Sequence, residues 1–149
     1  MIRSATPADV AAILDLIREL ATYEREPAST VVTTEPDLTT ALFREHPTVH
    51  ALVAEDAAGA VVGTALWFET FSTWTGQHGM HLEDFVVTAD QRGTGLGKAL
   101  FDELKRICLE RGYKRFEWRV LDWNTAVHGF YRAQGGAPLP EWDSWRITL

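Results

Sequence analysis

The chain has 149 residues, 46% of them hydrophobic, enough for one sizeable core and too few for a second, so residues 1–149 are expected to form a single domain. Twenty-one acidic against fourteen basic side chains give a formal charge of −7, which works against a nucleic-acid or anionic-membrane surface and favours a small cationic partner. The single cysteine, Cys108, excludes an internal disulfide, no apolar run approaches the ~20 residues that cross a bilayer, and Met1-Ile2-Arg3 opens a strand rather than a signal peptide; the expected location is the cytoplasm.

Ile2 to Ser4 reads as a short strand. Thr6-Pro7-Ala8-Asp9 then starts a helix, with Thr6 as N-cap, proline at the first helical position and an acid in the first turn. Val10, Ile13, Leu14, Ile17 and Leu20 recur at helical spacing, so one face is buried while Asp15, Arg18 and Glu19 meet water. Tyr23 and Glu24 follow in a loop, and Thr34-Glu35-Pro36-Asp37 repeats the capping pattern for a second helix reaching about Glu45. Residues 49–55 and 61–71 read as two antiparallel strands joined by Ala57-Ala58-Gly59, and His81-Leu82-Glu83-Asp84-Phe85-Val86-Val87 as the next strand. Strand alternation sends Glu83 and Asp84 to opposite faces, so only one of them is expected to face a cleft.

Gln91-Arg92-Gly93-Thr94-Gly95-Leu96-Gly97-Lys98 follows that strand and opens an amphipathic helix. Glycines at alternate positions let the backbone take positive φ and approach a ligand closely, and the first N–H groups of a helix point at whatever anion sits there. The dinucleotide fingerprint G-x-G-x-x-G fails in both registers, because it needs glycine at Lys98 or at Leu100. A Walker loop fails too, needing glycine at Arg92 and Ser or Thr at Ala99. R-x-x-G-x-G fits, with Arg92, Gly95 and Gly97; a glycine turn that binds nothing is the alternative.

Leu96, Leu100, Leu104, Ile107, Cys108 and Arg111 continue the helix to near Gly112, with Cys108 at an apolar position that suits a buried structural thiol rather than a nucleophile. Residues 116–121 read as a strand. Asn124 is placed to cap a helix through Val127, Phe130 and Tyr131, which Gly135-Gly136 ends, and residues 142–149 read as a last strand. Strands and helices in this order imply an α/β fold, a mixed sheet with helices on both faces.

The R-x-x-G-x-G loop, Leu82-Glu83-Asp84-Phe85 before it, Trp123-Asn124, Phe130-Tyr131 and Trp145-Arg146 after it, and Ile17-Arg18-Glu19-Leu20-Ala21-Thr22-Tyr23-Glu24 near the start together resemble the GNAT N-acetyltransferases. Within them the chain resembles, over nearly its whole length, the spermidine/spermine (diamine) acetyltransferase branch that includes thialysine acetyltransferases. The resemblance implies the GNAT fold, a central mixed and mostly antiparallel sheet flanked by helices. It implies acetyl-CoA as co-substrate, with the pantetheine arm along Phe85, Val86 and Val87, the diphosphate on the N–H groups of Gly93, Thr94, Gly95, Leu96, Gly97 and Lys98, charge from Arg92 and Lys98, and Asn124 near the thiol end. A homodimer joined through residues 142–149 is also implied.

Acetyl transfer from a thioester to an amine needs a neutral amine, stabilisation of the developing oxyanion and a proton for the departing thiolate. An alkylammonium is only about a thousandth neutral at pH 7, so a carboxylate that takes its proton removes a barrier of about 4 kcal/mol. Glu83 matches the family's carboxylate for that step, and Tyr131, a phenol protonated at pH 7, matches its general acid; a surface carboxylate and a core aromatic are the alternatives. Tyr23, Glu24, Glu83 and Asp143 match the amine pocket, where aromatic and acidic walls suit a cation. Polyamines and diamines are the first expected substrates, lysine-like amino acids such as thialysine the second, and a silent CoA-binding regulator is a further alternative. The tract Phe71-Ser72-Thr73-Trp74-Thr75-Gly76-Gln77-His78 lacks the acids of the polyamine enzymes. Five scattered histidines imply no metal site.

Overall fold

The structure, a computed structural model, describes residues 1–149, which divide into two compact units, Met1–Arg119 and Val120–Leu149. In the first unit, strands β1 (Ile2–Ser4), β2 (His50–Glu55), β3 (Val61–Ser72), β4 (Gln77–Val87) and β5 (Phe116–Trp118) form one sheet in the order β1-β2-β3-β4-β5. All neighbours are antiparallel except β4 and β5, which run parallel. Parallel neighbours need a crossover, and helix α3 (Leu96–Glu110) supplies it. Helices α1 (Val10–Tyr23) and α2 (Glu35–Phe43) lie between β1 and β2 in sequence.

The expected layering is present. Val10, Ile13 and Leu14 of α1 and Leu38 and Leu42 of α2 cluster with Ala51, Val53 and Leu66 on one face of the sheet. On the other face Phe101 of α3 meets Phe85, Phe116 and Trp118 at ring separations of 5.7, 5.0 and 5.3 Å. Cys108 Sγ lies 3.7 Å from Met80 Sδ in that layer, and burial pushes its thiol up to about 11, so it is a packing residue and not a nucleophile.

The helix starts follow their capping residues. Thr34 Oγ1 accepts from the Asp37 amide at 3.3 Å while the Asp37 carboxylate accepts from the Thr34 amide at 2.9 Å. Thr6 caps a short 3₁₀ turn, Pro7–Asp9, ahead of α1 rather than α1 itself. Asp9 accepts from the Thr6 amide at 2.7 Å and from Arg3 at 2.7 and 2.9 Å; Arg3 also reaches Glu55 at 2.6 Å, so one guanidinium joins β1, the entry to α1 and the end of β2.

Three expectations are corrected. First, β3 and β4 pair Leu66 with Asp84 and then Trp67 with Leu82, so Glu83 is an extra, bulged residue. A bulge resets the alternation of side chains, and Glu83 and Asp84 do not divide simply between opposite faces. Second, β5 stops at Trp118 instead of continuing to residue 121. Third, residues 142–149 form no strand within this chain: a strand exists only where a ladder partner pairs with it, and Trp145, Ile147 and Leu149 stand 92%, 85% and 113% exposed.

The second unit holds a 3₁₀ turn, Thr125–Val127, and helix α4 (His128–Ala133). Asn124 precedes the turn without capping it through its side chain. Gly135, at φ +91°, reverses the chain, and the Gly136 amide donates to the Tyr131 carbonyl at 2.9 Å, closing α4 as the paired glycines suggested.

Candidate active site

The β3–β4 ladder ends where the Thr88 amide donates to the Val62 carbonyl at 2.9 Å. A short turn, Ala89–Gln91, leads into the loop, where Gly93 and Gly95 take φ of +77° and +91° and nothing lies within 4 Å of the Cβ either would carry. Gly95 occupies the N-cap position of α3; Thr94 Oγ1 accepts from the Leu96 amide at 3.4 Å, and the Gly97 and Lys98 N–H groups of the first turn face no acceptor within the helix. Thr94 Oγ1 donates to the Gln91 carbonyl at 2.7 Å and fixes the loop from within. Positive-φ glycines, open space and the remaining first-turn donors at the start of a 15-residue helix fit a diphosphate. Lys98, expected to add charge at the diphosphate, pairs with Asp102 one turn further along α3. Arg92 is held by β4 and α1: its Nε donates to the Val87 carbonyl at 3.2 Å, and its guanidinium lies 4.9 Å from the Tyr23 ring centre and 3.9 Å from Glu19.

The outer edge of β4 is the second component. β5 pairs only with Met80, His81 and Leu82, while β4 runs on to Val87. Thr88 and Val62 are a hydrogen-bonded pair, so by alternation Val86 bonds to Thr64 of β3, and the main-chain groups of Phe85 and Val87 point away from β3. Of the three residues expected along the pantetheine arm, Phe85 and Val87 therefore carry the outward-facing polar groups, and Val86 is a buried packing residue. The Arg92 bond to the Val87 carbonyl uses that same edge.

The third component is acidic. Asp84 pairs with Leu66, whose side chain lies in the α1–α2 cluster, and it is held in protonation balance by its surroundings: burial, reinforced by the charges of Glu83 and Glu24, pushes its carboxyl up to about 6. Burial also raises Glu24 from the ordinary carboxylate value. Glu83 is exposed at the bulge, 3.6 Å from His81 Nε2, and the His81 ring stacks on Phe68 at 4.9 Å. Glu24, Glu83 and Asp84 thus form one electrostatically linked group, next to Tyr23 at the end of α1. Asp84 and His81 were not singled out by their residue types; only the bulge, which a hydrophobic pattern does not encode, brings Asp84 into this group.

Tyr131, Asn124 and Asp143 belong to the second unit. Tyr131 is half-buried on α4 with its ring 5.3 Å from that of Phe130, Asn124 is buried, and Asp143 is exposed in the segment after the helix. No group of three or more His, Cys, Asp or Glu has the geometry to hold a metal ion, and no helix is long and apolar enough to cross a membrane.

A solved aminoglycoside acetyltransferase from an uncultured soil metagenomic sample superposes with a TM-score of 0.82 over 100% of this chain and 95% of its own, at 16% identity, a likeness of fold. In sequence the chain is 38% identical over 152 residues to a thialysine N-epsilon-acetyltransferase of Bos taurus, covering 97% of this chain and 88% of that protein. It is 30% identical to a spermidine/spermine N(1)-acetyltransferase-like protein of Homo sapiens, over 98% of this chain and 22% of that longer protein. Residues 12–135 match the profile of the acetyltransferase (GNAT) family, and with a glycine loop and strand edge of the right form beneath that match, the chain belongs to the GNAT family of acetyltransferases.

Proposed function

We propose that residues 1–149 work as one catalytic domain that transfers the acetyl group of acetyl-CoA to the terminal primary amine of a small cationic substrate. A lysine-like amino acid such as thialysine is the leading class, and a diamine or polyamine the second. The observation that carries this reading is the linked carboxylate group Glu24, Glu83 and Asp84 next to Tyr23, whose ring lies against Arg92 of the glycine loop. Two features favour the lysine-like class: the acid-free tract from Phe71 to His78, and the name and 38% identity of the Bos taurus relative.

The cofactor supplies an activated acetyl thioester, and the remaining tasks fall to the chain. The N–H groups of Gly93 to Lys98 hold the diphosphate, and the outward main-chain groups of Phe85 and Val87 align the pantetheine arm as an added strand. Tyr23 and Glu24 receive the cation, and the family resemblance gives Asp143 the same role. Glu83, and with it Asp84, takes the proton from the incoming ammonium, directly or through water. A carboxyl pushed up to about 6 is still ionised at neutral pH and is a stronger base than an ordinary aspartate. The family resemblance gives Tyr131 the return of a proton to the departing thiolate and Asn124 a contact with the cofactor.

The test is thiol release from acetyl-CoA with thialysine, lysine, putrescine, spermidine and an uncharged primary amine. Thialysine or lysine should give the highest kcat/KM. Preference for the uncharged amine would remove the cationic-substrate reading, and CoA binding with no thiol release on any amine would point to a silent regulator. Tyr131→Phe keeps the ring and deletes the donor, so turnover should fall about 10²-fold with CoA affinity little changed. Turnover within a factor of two of the parent would make Tyr131 a packing residue.

A further inference from the structure

Arg92 stands at the first position of the glycine loop, and its guanidinium is gripped from three sides. The Val87 carbonyl accepts from Nε at 3.2 Å, the Glu19 carboxylate faces Nη2 at 3.9 Å, and the Tyr23 ring covers the flat face at 4.9 Å. Glu19 and Tyr23 are four residues apart on α1, one turn, and so share a face of that helix. A half-exposed ion pair or a single cation–π contact is individually weak. Here three of them converge on one rigid, planar group and span β4, the loop and α1.

The loop needs such a hold. Gly93 and Gly95 have no side chains, their positive φ values are open to few other residues, and nothing packs within 4 Å of their Cβ positions, so the backbone that must present donors to a diphosphate is steadied chiefly from its ends. Thr94 steadies it from within. A cradle ordered before the ligand arrives avoids the ordering cost at binding.

We propose that Arg92 is a positioning residue which ties the glycine loop to α1, so that Glu19 and Tyr23, on a helix outside the loop, help set the affinity for CoA. This rests on the loop taking the cofactor's diphosphate. It differs from direct pairing of Arg92 with the diphosphate in the sign expected at Glu19. If Arg92 were a direct ligand, Glu19 would compete for it and add a repelling charge, and removing that charge would tighten CoA. If Arg92 is a tie, removing Glu19 loosens the loop and weakens CoA.

Calorimetric titration with CoA, beside thermal unfolding of each variant, decides the matter. Glu19→Gln and Tyr23→Leu should each weaken CoA about 3- to 10-fold with the unfolding temperature unchanged, and Tyr23→Phe, which keeps the ring, should restore parental affinity. Tyr23→Leu added to Arg92→Gln should cost nothing beyond Arg92→Gln alone, because both act through one contact. Tighter binding in Glu19→Gln, unchanged binding in Tyr23→Leu, or additive losses in the double variant would each overturn the tie. An unaltered protein that did not bind CoA would overturn this proposal together with the acetyltransferase reading, an outcome distinct from CoA binding that ignores α1.

Discussion

At the scale of single residues, the two glycines of the loop motif differ in what a side chain would meet. The R-x-x-G-x-G spacing groups Gly95 with Gly97, and the structure separates them. Gly95 needs φ of +91°, so any side chain there strains the fold as well as the cofactor site, whereas a Cβ at Gly97 would meet Val87 Cγ2 at an ordinary 3.8 Å. Gly97→Val is therefore the cleaner probe. It should leave stability within about 0.5 kcal/mol, since valine is no worse than glycine inside a helix, and weaken CoA tenfold or more by filling the space above the first-turn donors. Parental CoA affinity in Gly97→Val would remove the diphosphate from that place. Asp84 carries the opposite lesson, because its environment rather than its residue type makes it reactive. Its folded value of about 6 lies above the ~3.9 of an unfolded aspartate, so ionised Asp84 costs stability fully above about pH 6 and not at all below about pH 4, where both states hold the proton. Asp84→Asn should accordingly stabilise the empty protein at pH 7.5 by about 1–2 kcal/mol after allowance for screening, with the gain vanishing near pH 4. It should also raise KM for a cationic amine. Urea unfolding at the two pH values measures the first effect, and a variant less stable than the parent at pH 7.5 would contradict it.

At the scale of elements, β4 concentrates most of what the site requires. Met80, His81 and Leu82 pair on both sides, Glu83 after them is bulged, and the last residues turn alternate main-chain groups outward beyond the end of β5. The strand-like run from His81 to Val87 marks a strand in the sequence, and the glycines after it mark where it ends. The register was hidden, because a bulge depends on how two strands pair and not on the composition of either. The same ignorance of pairing explains why β5 was expected to be longer and why residues 142–149 were expected to be a strand. Helix limits fared better, since Thr34-Glu35-Pro36-Asp37 carries its own cap in sequence. The alternation along β4 makes a test possible by hydrogen exchange. The Val87 amide points away from β3 and should gain protection when CoA lies along the edge, while the Val86 amide, bonded to β3, should exchange slowly with or without CoA. Equal changes at both amides would place the pantetheine arm elsewhere.

At the scale of the whole molecule, the charge of −7 and the acids of the site act in the same sense, drawing cations toward a group that includes the poorly solvated Asp84. The remaining global feature is apolar. Trp145, Ile147 and Leu149 alternate with Arg146 and Thr148 in the pattern of a strand, and all three are exposed in a single copy of the chain. A segment with strand-like alternation and large apolar side chains in water is covered by packing against another sheet edge, and the partner always present in solution is a second copy. We propose that residues 142–149 complete their strand across a homodimer. Sedimentation at micromolar concentration should give about twice the 16.7 kDa of one chain. Placing charge on the apolar row, as in Trp145→Glu with Ile147→Glu, should shift that mass toward a single chain while the unit Met1–Arg119 keeps its cooperative unfolding. If the unaltered protein sediments as a monomer, or the doubly charged variant stays dimeric, the segment is not the interface.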